Sequence, residues 1–184
     1  MVLLRAAQEE LPPAVCATYY DGIVRKALLQ MKFGDAPEVC ATFADLLADA
    51  LMRTQIGGSA YAAVAAVPLH PARERERGYN QAGLIASALA QRLLLPDWSK
   101  SLIRKRPTNR QSELPTMAER RDNVHDVFAV RTPELLKRQH LILVDDILST
   151  GATILSLRQT VLEAGAASVT LAAAASGHRV IPSD

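Results

Sequence analysis

The sequence predicts an α/β fold built on a mainly parallel sheet, and three observations carry that expectation. Residues 62–67, 140–144 and 168–175 form apolar runs of strand length, the pattern of strands covered on both faces. Segments of helical period follow or separate these runs, so that strand and helix alternate three times over the last 115 residues. The loops after Val67, Arg104 and Val144 are polar or charged, and in parallel sheets ligands sit at the carboxyl ends of strands.

Taken in order, Pro12-Pro13 precedes a short strand over 14–20, and Asp21-Gly22 makes a turn. A helix over 23–33 shows apolar residues at 24, 27, 28 and 31. A second over 37–52 carries Val39, Phe43, Leu46, Leu47 and Leu51, and ends before Gly57-Gly58-Ser59. The 62–67 strand stops at Pro68 and leads into a charged loop, 73–78. A helix over 80–94 buries Ala82, Ile85, Ala86, Leu89 and Leu93 and stops at Pro96. A short strand is expected at 102–104. Residues 105–127 read as a long mobile loop with one helical turn, because they are polar and weakly periodic. After the 140–144 strand come a helix over 152–164, closed by Gly165, and the final strand.

The chain has 184 residues, enough for one domain with a full core. Apolar residues make up 49% and aromatics only 4%, so that core is built from Ala, Leu, Val and Ile. The net charge of +2 is too small to imply nucleic-acid binding by itself. Its distribution is uneven: positions 100–138 hold 10 of the 21 basic residues against 5 of the 19 acids. Cys16 and Cys40 form neither a CxxC pair nor a disulfide framework, which excludes a four-cysteine zinc site within the chain. No apolar run reaches the ~18–20 residues of a membrane span. The first residues lack the pattern of a signal peptide, so the expected compartment is the cytoplasm.

The most informative stretch runs from Leu141 through Asp145-Asp146 to Ser149-Thr150-Gly151-Ala152-Thr153. A buried strand enters two adjacent carboxylates and then a hydroxyl-rich turn at a helix start. The first turn of a helix offers unpaired amides and a dipole that favours an anion. The Ser149, Thr150 and Thr153 hydroxyls add donors, and Gly151 permits close approach. The turn lacks the lysine of a GxxxxGK[ST] loop. Two acids beside a phosphate must grip another part of the ligand, and Asp145 and Asp146 are suited to vicinal hydroxyls. A phosphate joined to a cis-diol is a ribose 5-phosphate. Read alone, an Asp pair is a turn former and Ser149 a helix cap; the whole strand-acid-loop-helix context favours the anion site.

Two cationic stretches accompany it. The alternating run Arg73-Glu74-Arg75-Glu76-Arg77 reads mainly as a solvated face, and Asn80 as a cap of the next helix. Arg77 beside Gly78 is better placed for a second anion. The other stretch, 104–123, carries Arg104, Lys105, Arg106, Arg110, Arg120 and Arg121. A surface loop and a nucleic-acid patch are alternative readings of it, though no aromatic lies between Trp98 and Phe128 to stack on bases.

The 141–153 stretch resembles the phosphoribosyl diphosphate (PRPP) signature of type I phosphoribosyltransferases. Four patches narrow that resemblance to the ComF-type family, a phosphoribosyltransferase-like group linked to competence and DNA uptake. They are Tyr20-Asp-Gly with Lys32-Phe33-Gly34; Val67-Pro68-Leu69-His70 with Arg77-Gly78-Tyr79-Asn80-Gln81; Arg104, Thr108, Gln111, Arg121, Asn123 and Phe128; and Val144-Asp-Asp with Ser-Thr-Gly-Ala-Thr153. Many members begin with a zinc ribbon of CxxC pairs, which is lacking here.

The resemblance implies a type I phosphoribosyltransferase-like sheet flanked by helices, with a small N-terminal hood over 1–60 and the core over 61–184. It assigns the ribose hydroxyls to Asp145 and Asp146 and the 5-phosphate to Ser149, Thr150, Gly151, Ala152 and Thr153. It places the pyrophosphate near Leu69, His70, Arg77 and Gly78. The 104–123 loop is expected to act as a lid, with Arg104 and either Lys105 or Arg106 meeting the leaving group. Mg²⁺ is the expected cofactor, held through the pyrophosphate with Asp145 and Asp146 as the nearest candidates and no direct protein ligand otherwise expected. Three activities stay open. The chain transfers a phosphoribosyl group to an unidentified acceptor, or it senses PRPP or a nucleotide, or it is a DNA-uptake or recombination accessory that binds single-stranded DNA or a partner protein. A homodimer without membrane insertion is the expected assembly.

Overall fold

The computed structural model describes residues 2–4, 12, 14–33, 38–54, 60–106 and 127–177. Its principal sheet has five strands, β1 (Val2–Leu4), β2 (Ala14–Tyr19), β3 (Ala63–Ala66), β6 (His140–Leu148) and β7 (Ser168–Ser176), in the order β1-β2-β7-β6-β3. Only β1 runs antiparallel, so that Val2 faces Cys16. The other four are parallel, with His140 opposite Ser168 and Ala63 opposite Leu141. A second, two-stranded antiparallel ribbon pairs β4 (Leu102–Arg104) with β5 (Phe128–Val130).

Helices cover both faces of the sheet, which is why its central strands can be apolar throughout. On one face lie α1 (Gly22–Phe33), α2 (Val39–Thr54) and α4 (Gln81–Leu93), whose Met31, Leu47, Ile85 and Leu89 pack with Ile142 and Val144. On the other lie α6 (Ala152–Glu163), the short α5 (Pro133–Leu136) and the ribbon. There Leu157, Val161, Leu136, Leu102 and Phe128 meet Leu141 and Leu143. Consecutive residues 141–144 thus serve two cores in alternation. Ala172 to Ala175 of β7 are buried as well, and these small side chains let a core with few aromatics close. β2 belongs to the same sheet, and α2 packs on α4, so the N-terminal segment shares the core of the remainder.

The outer edge of β3 is closed by residues 96–99. The Val64 amide donates to the Pro96 carbonyl (3.0 Å), the Trp98 amide to the Val64 carbonyl (2.8 Å) and the Ala66 amide to Ser99 Oγ (2.9 Å). Pro96, the expected helix stop, is therefore also an acceptor for an edge strand that would otherwise expose its ladder. Both cysteines are buried, and burial pushes the Cys16 thiol up to about 12 and the Cys40 thiol up to about 11. Neither is a thiolate nucleophile at neutral pH.

Three features differ from the sequence expectation. The charged 73–78 loop is largely a helix, α3 (Pro71–Arg77), with Pro71 at its start, the His70 ring accepting the Ala72 amide (3.3 Å), and Gly78 in the left-handed conformation (φ 82°) at its end. It buries no side chain and so has no apolar period to read; its stop and start residues were the available signal. β6 continues past Val144 to Leu148, carrying both aspartates inside the strand. β1, β5 and α5 are three or four residues long, too short for periodicity.

Leu94 ends α4 in the left-handed conformation (φ 54°) while 92% exposed, with strain that no packing offsets. Leu94→Gly is expected to stabilise the protein by about 0.5–1 kcal/mol, read as a higher urea midpoint at unchanged m-value.

Candidate functional site

Because β2, β7, β6 and β3 are parallel, their carboxyl ends gather at one edge of the sheet. Hydrogen bonds knit that edge together. The Tyr20 amide donates to the Ser176 carbonyl (2.7 Å), the Gly177 amide to the Leu148 carbonyl (2.8 Å) and the Val67 amide to the Val144 carbonyl (2.8 Å). The acid pair, the hydroxyl loop and the segment after Val67 therefore share one rigid rim.

At its centre are Asp145 and Asp146. The Asp145 carboxylate accepts the Asp146 amide (2.9 Å) and the Asp146 carboxylate accepts the Ile147 amide (2.8 Å). Burial pushes the Asp145 carboxyl well above the usual carboxylate range, and the charge and hydrogen bonding of Asp146 push it further; the Asp146 backbone and Arg104 act in the opposite direction. The alternation that sends Leu141 and Leu143 to one face carries Asp145 towards the β4–β5 ribbon, where Arg104 lies.

Beyond β6, the turn 149–151 leads into α6. Gly151 is the N-cap residue and is buried in the left-handed conformation (φ 75°), which a side chain would strain. No side chain caps the helix at Gly151. The Ala152 amide reaches Thr150 Oγ1 (3.4 Å), and Ser149 is exposed rather than capping. The first turn of α6, with Ala152 and Thr153, thus stands one loop away from the acids, with the amide polarity that attracts anions.

Arginines stand on the other side. Arg104 of β4 lies over the Phe128 ring at 5.5 Å. Its guanidinium is pulled below its ordinary value by burial first, then by the positive charges of Arg73 and Arg106, while Asp145 opposes the shift. In the sequence Arg73 reads only as part of the solvated Arg/Glu run. It was legible only once 71–77 became a helix: Arg73 and Arg77, one turn apart, are partly buried, while Glu74, Arg75 and Glu76 are exposed. Arg77 Nη1 reaches Gln81 Oε1 (3.5 Å) at the start of α4. His70 is engaged as the cap of α3, Leu69 is partly buried beside it, and Gly78 closes the helix. Arg106 is exposed. The structure thus brings Asp145, Asp146, Arg104, Arg106 and Arg73 together, while Arg77 turns towards α4. Asn80 does not cap α4 with its side chain; Nδ2 donates instead to the Val67 carbonyl (2.9 Å). Residues 107–123 of the expected 104–123 lid, with Thr108, Gln111, Arg121 and Asn123, lie outside the described residues, as do Gly34 and the side chains of Lys32 and Phe33.

Among the described residues, no three His, Cys, Asp or Glu side chains form a metal-holding group. The carboxylate oxygens of Asp145 and Asp146 suit a divalent cation whose remaining oxygens come from a ligand, the mode expected of Mg²⁺ with a diphosphate. Among the described residues, no helix is long and apolar enough to cross a membrane.

Comparison with known proteins bears on this rim. Residues 76–180 match the phosphoribosyl transferase domain family. The DNA utilization protein YhgH of Salmonella typhimurium is 32% identical over 142 residues, covering 76% of this chain and 61% of the relative. The chain thus spans less than two thirds of that relative's length. Competence protein F of Haemophilus influenzae is 36% identical over 94 residues, 50% of this chain and 40% of that one. Among solved structures, the glutamine PRPP amidotransferase of B. subtilis, complexed with ADP and GMP, superposes over 79% of this chain and 30% of that one, with a TM-score of 0.51 at 18% identity. That superposition shows the shared fold. The family match covers more than half of the chain and includes the acid pair, the hydroxyl loop and Arg104. The chain belongs to the phosphoribosyl transferase domain family, and its similarity to a DNA utilization protein and a competence protein is consistent with the ComF-type group within it.

Proposed function

We propose that the carboxyl edge of the sheet binds PRPP with Mg²⁺ and transfers the phosphoribosyl group to an acceptor. One arrangement carries this reading: an acid pair in the carboxyl-terminal half of β6, one short loop before the helix start of α6, faces the Arg73–Arg104–Arg106 cluster. A ligand that suits it has a diol between two anionic ends. Asp145 and Asp146 accept the ribose hydroxyls, and residues 149–153 take the 5-phosphate on amides and hydroxyls. Arg73, Arg104 and Arg106 face the diphosphate, with Leu69, His70, Arg77 and Gly78 forming the segment beside it.

In the transfer, the bond from the anomeric carbon to the pyrophosphate oxygen breaks and a bond from that carbon to the acceptor forms. Positive charge grows on the ribose ring, where the aspartates stabilise it. Negative charge grows on the departing pyrophosphate, where the arginines do so. Bound Mg²⁺ supplies further neutralisation of the diphosphate. Calorimetric titration of PRPP with and without Mg²⁺ tests the binding, and turnover with a panel of bases separates a transferase from a PRPP sensor. The names of the relatives favour a second reading, a DNA-uptake accessory whose basic 100–138 region contacts single-stranded DNA. A DNA affinity that falls steeply with salt, and is indifferent to loss of the acid pair, supports it.

Asp145→Asn combined with Asp146→Asn is expected to weaken PRPP binding about a hundredfold, the loss of two charge-assisted acceptors. Unchanged affinity in that double variant overturns the diol assignment. Arg73→Ala and Arg104→Ala are each expected to weaken PRPP about tenfold while leaving ribose 5-phosphate affinity unchanged; equal losses for both ligands contradict the diphosphate assignment. The raised Asp145 carboxyl also has a stability consequence. A group whose pKa is higher in the folded than in the unfolded chain contributes stability at low pH and loses it as pH rises through the folded value. Asp145→Asn alone is therefore expected to raise Tm at neutral pH, with the gain vanishing below about pH 4, where the carboxyl is protonated in both states. Thermal melts at stepped pH read this directly, and a pH-independent gain argues against it.

A further inference from the structure

Three consecutive residues, Tyr79-Asn80-Gln81, make side-chain bonds that neither the acid pair nor the hydroxyl loop requires. Asn80 occupies the N-cap position of α4, where an Asn side chain ordinarily satisfies one of the helix's first amides. Here it forgoes that bond and donates to the carbonyl of Val67, the residue at which β3 passes into the 68–70 segment. Its neighbours reach elsewhere. The Tyr79 hydroxyl and Gln81 Nε2 (3.3 Å) both donate to the carbonyl of Met31, in the last turn of α1. Carbonyls in that turn have no amide within their own helix and need outside donors. Gln81 is only 3% exposed and Met31 is fully buried, so the second donor operates away from water, where an unmade bond is costly.

Gly83 supplies an independent observation. It sits in the first turn of α4, where glycine weakens a helix relative to alanine. A Cβ there would stand 3.3 Å from Asn80 Cβ and 3.6 Å from Asn80 Nδ2. The bare Cα is the surface against which the Asn80 side chain lies on its way to Val67. The sequence thus gives up helix propensity at Gly83 and a side-chain cap at Asn80, both in favour of the same long-range bond.

We propose that Tyr79, Asn80 and Gln81 form a positioning clamp, which holds the 68–78 segment on the diphosphate side of the site in a fixed relation to the C-terminus of α1. This inference rests on the ribose-phosphate reading of the rim. The clamp residues act through Val67 and Met31 rather than on the ligand. The middle residue of the triplet holds Val67 while its two flanking residues hold Met31, which makes the device bidirectional: a shift of 68–78 moves the donors that finish α1, and a loosened α1 releases the segment carrying Arg73.

Asn80→Asp is nearly isosteric and an equally good helix cap, but it removes the donor to Val67 and sets a carboxylate against that carbonyl. Tyr79→Phe removes only the hydroxyl. Gly83→Ala crowds Asn80 without altering a polar atom, and serves if Asn80→Asp fails to fold. Inorganic pyrophosphate and ribose 5-phosphate are titrated separately into the full chain and each variant, alongside hydrogen exchange of α1 and α6. Each variant is expected to bind pyrophosphate about tenfold more weakly and ribose 5-phosphate as wild type does, with faster exchange in the last turns of α1 and none gained in α6. A role confined to capping α4 predicts that Asn80→Asp changes neither affinity, and a general loss of structure predicts that both fall together. Either outcome, in a wild-type protein that binds both ligands, overturns the clamp while leaving the ribose-phosphate reading intact. Wild type that binds neither ligand removes that reading, and the clamp with it.

Discussion

The double-sided pairing of β6 is the constraint on which the rest depends. β6 hydrogen-bonds to β3 on one side and β7 on the other, and residues 141–144 are buried against helices and ribbon on both faces. Every position of that segment must be apolar, and its backbone has no freedom to shift register without breaking two ladders. Whatever follows Val144 is therefore placed to high precision at the centre of the carboxyl edge. Two carboxylates stand there. A less constrained strand would let them turn to water; this one continues through them to Leu148.

The rim is a region of local conflict. A carboxyl held partly out of water beside a second carboxyl destabilises its own ionised form, and three arginines crowd one another nearby. Each arrangement taken alone works against folding, and together they only partly compensate. Such charge crowding at one edge of a well-packed sheet marks that edge as the candidate functional site. The left-handed Gly151 and the single-turn geometry of 149–151 belong to the same economy, in which local comfort yields to the placement of amides.

Short sequence stretches serve this placement in different ways. Asp145 to Thr153 present polar groups. Tyr79 to Gly83 instead make long-range bonds that set one element against another, although both stretches read as polar runs at a helix start. Closure of the β3 edge by 96–99 is similar in kind, since a helix stop there doubles as a partner for backbone amides.

The central strands, the long helices and the acid-hydroxyl rim are legible in the chain before it folds. These are written in contiguous residues: an apolar run of strand length, a 3.6-residue period, or a carboxylate pair followed by a helix start. The tertiary structure alone decided what depends on partners distant in the chain. Strand order is one case, because β2 pairs with β7 across most of the sequence. The extension of β6 through its aspartates is another, since its pairing with Ala173 to Ser176 holds them in the sheet. Arg73 joins the site because α3, which buries nothing and shows no period, turns that side chain towards Arg104. Asn80 leaves its helix because the Val67 carbonyl, thirteen residues earlier, lies within its reach. Local sequence fixes which groups are present and the element each rides on; their partners follow only once the sheet has brought its carboxyl ends together.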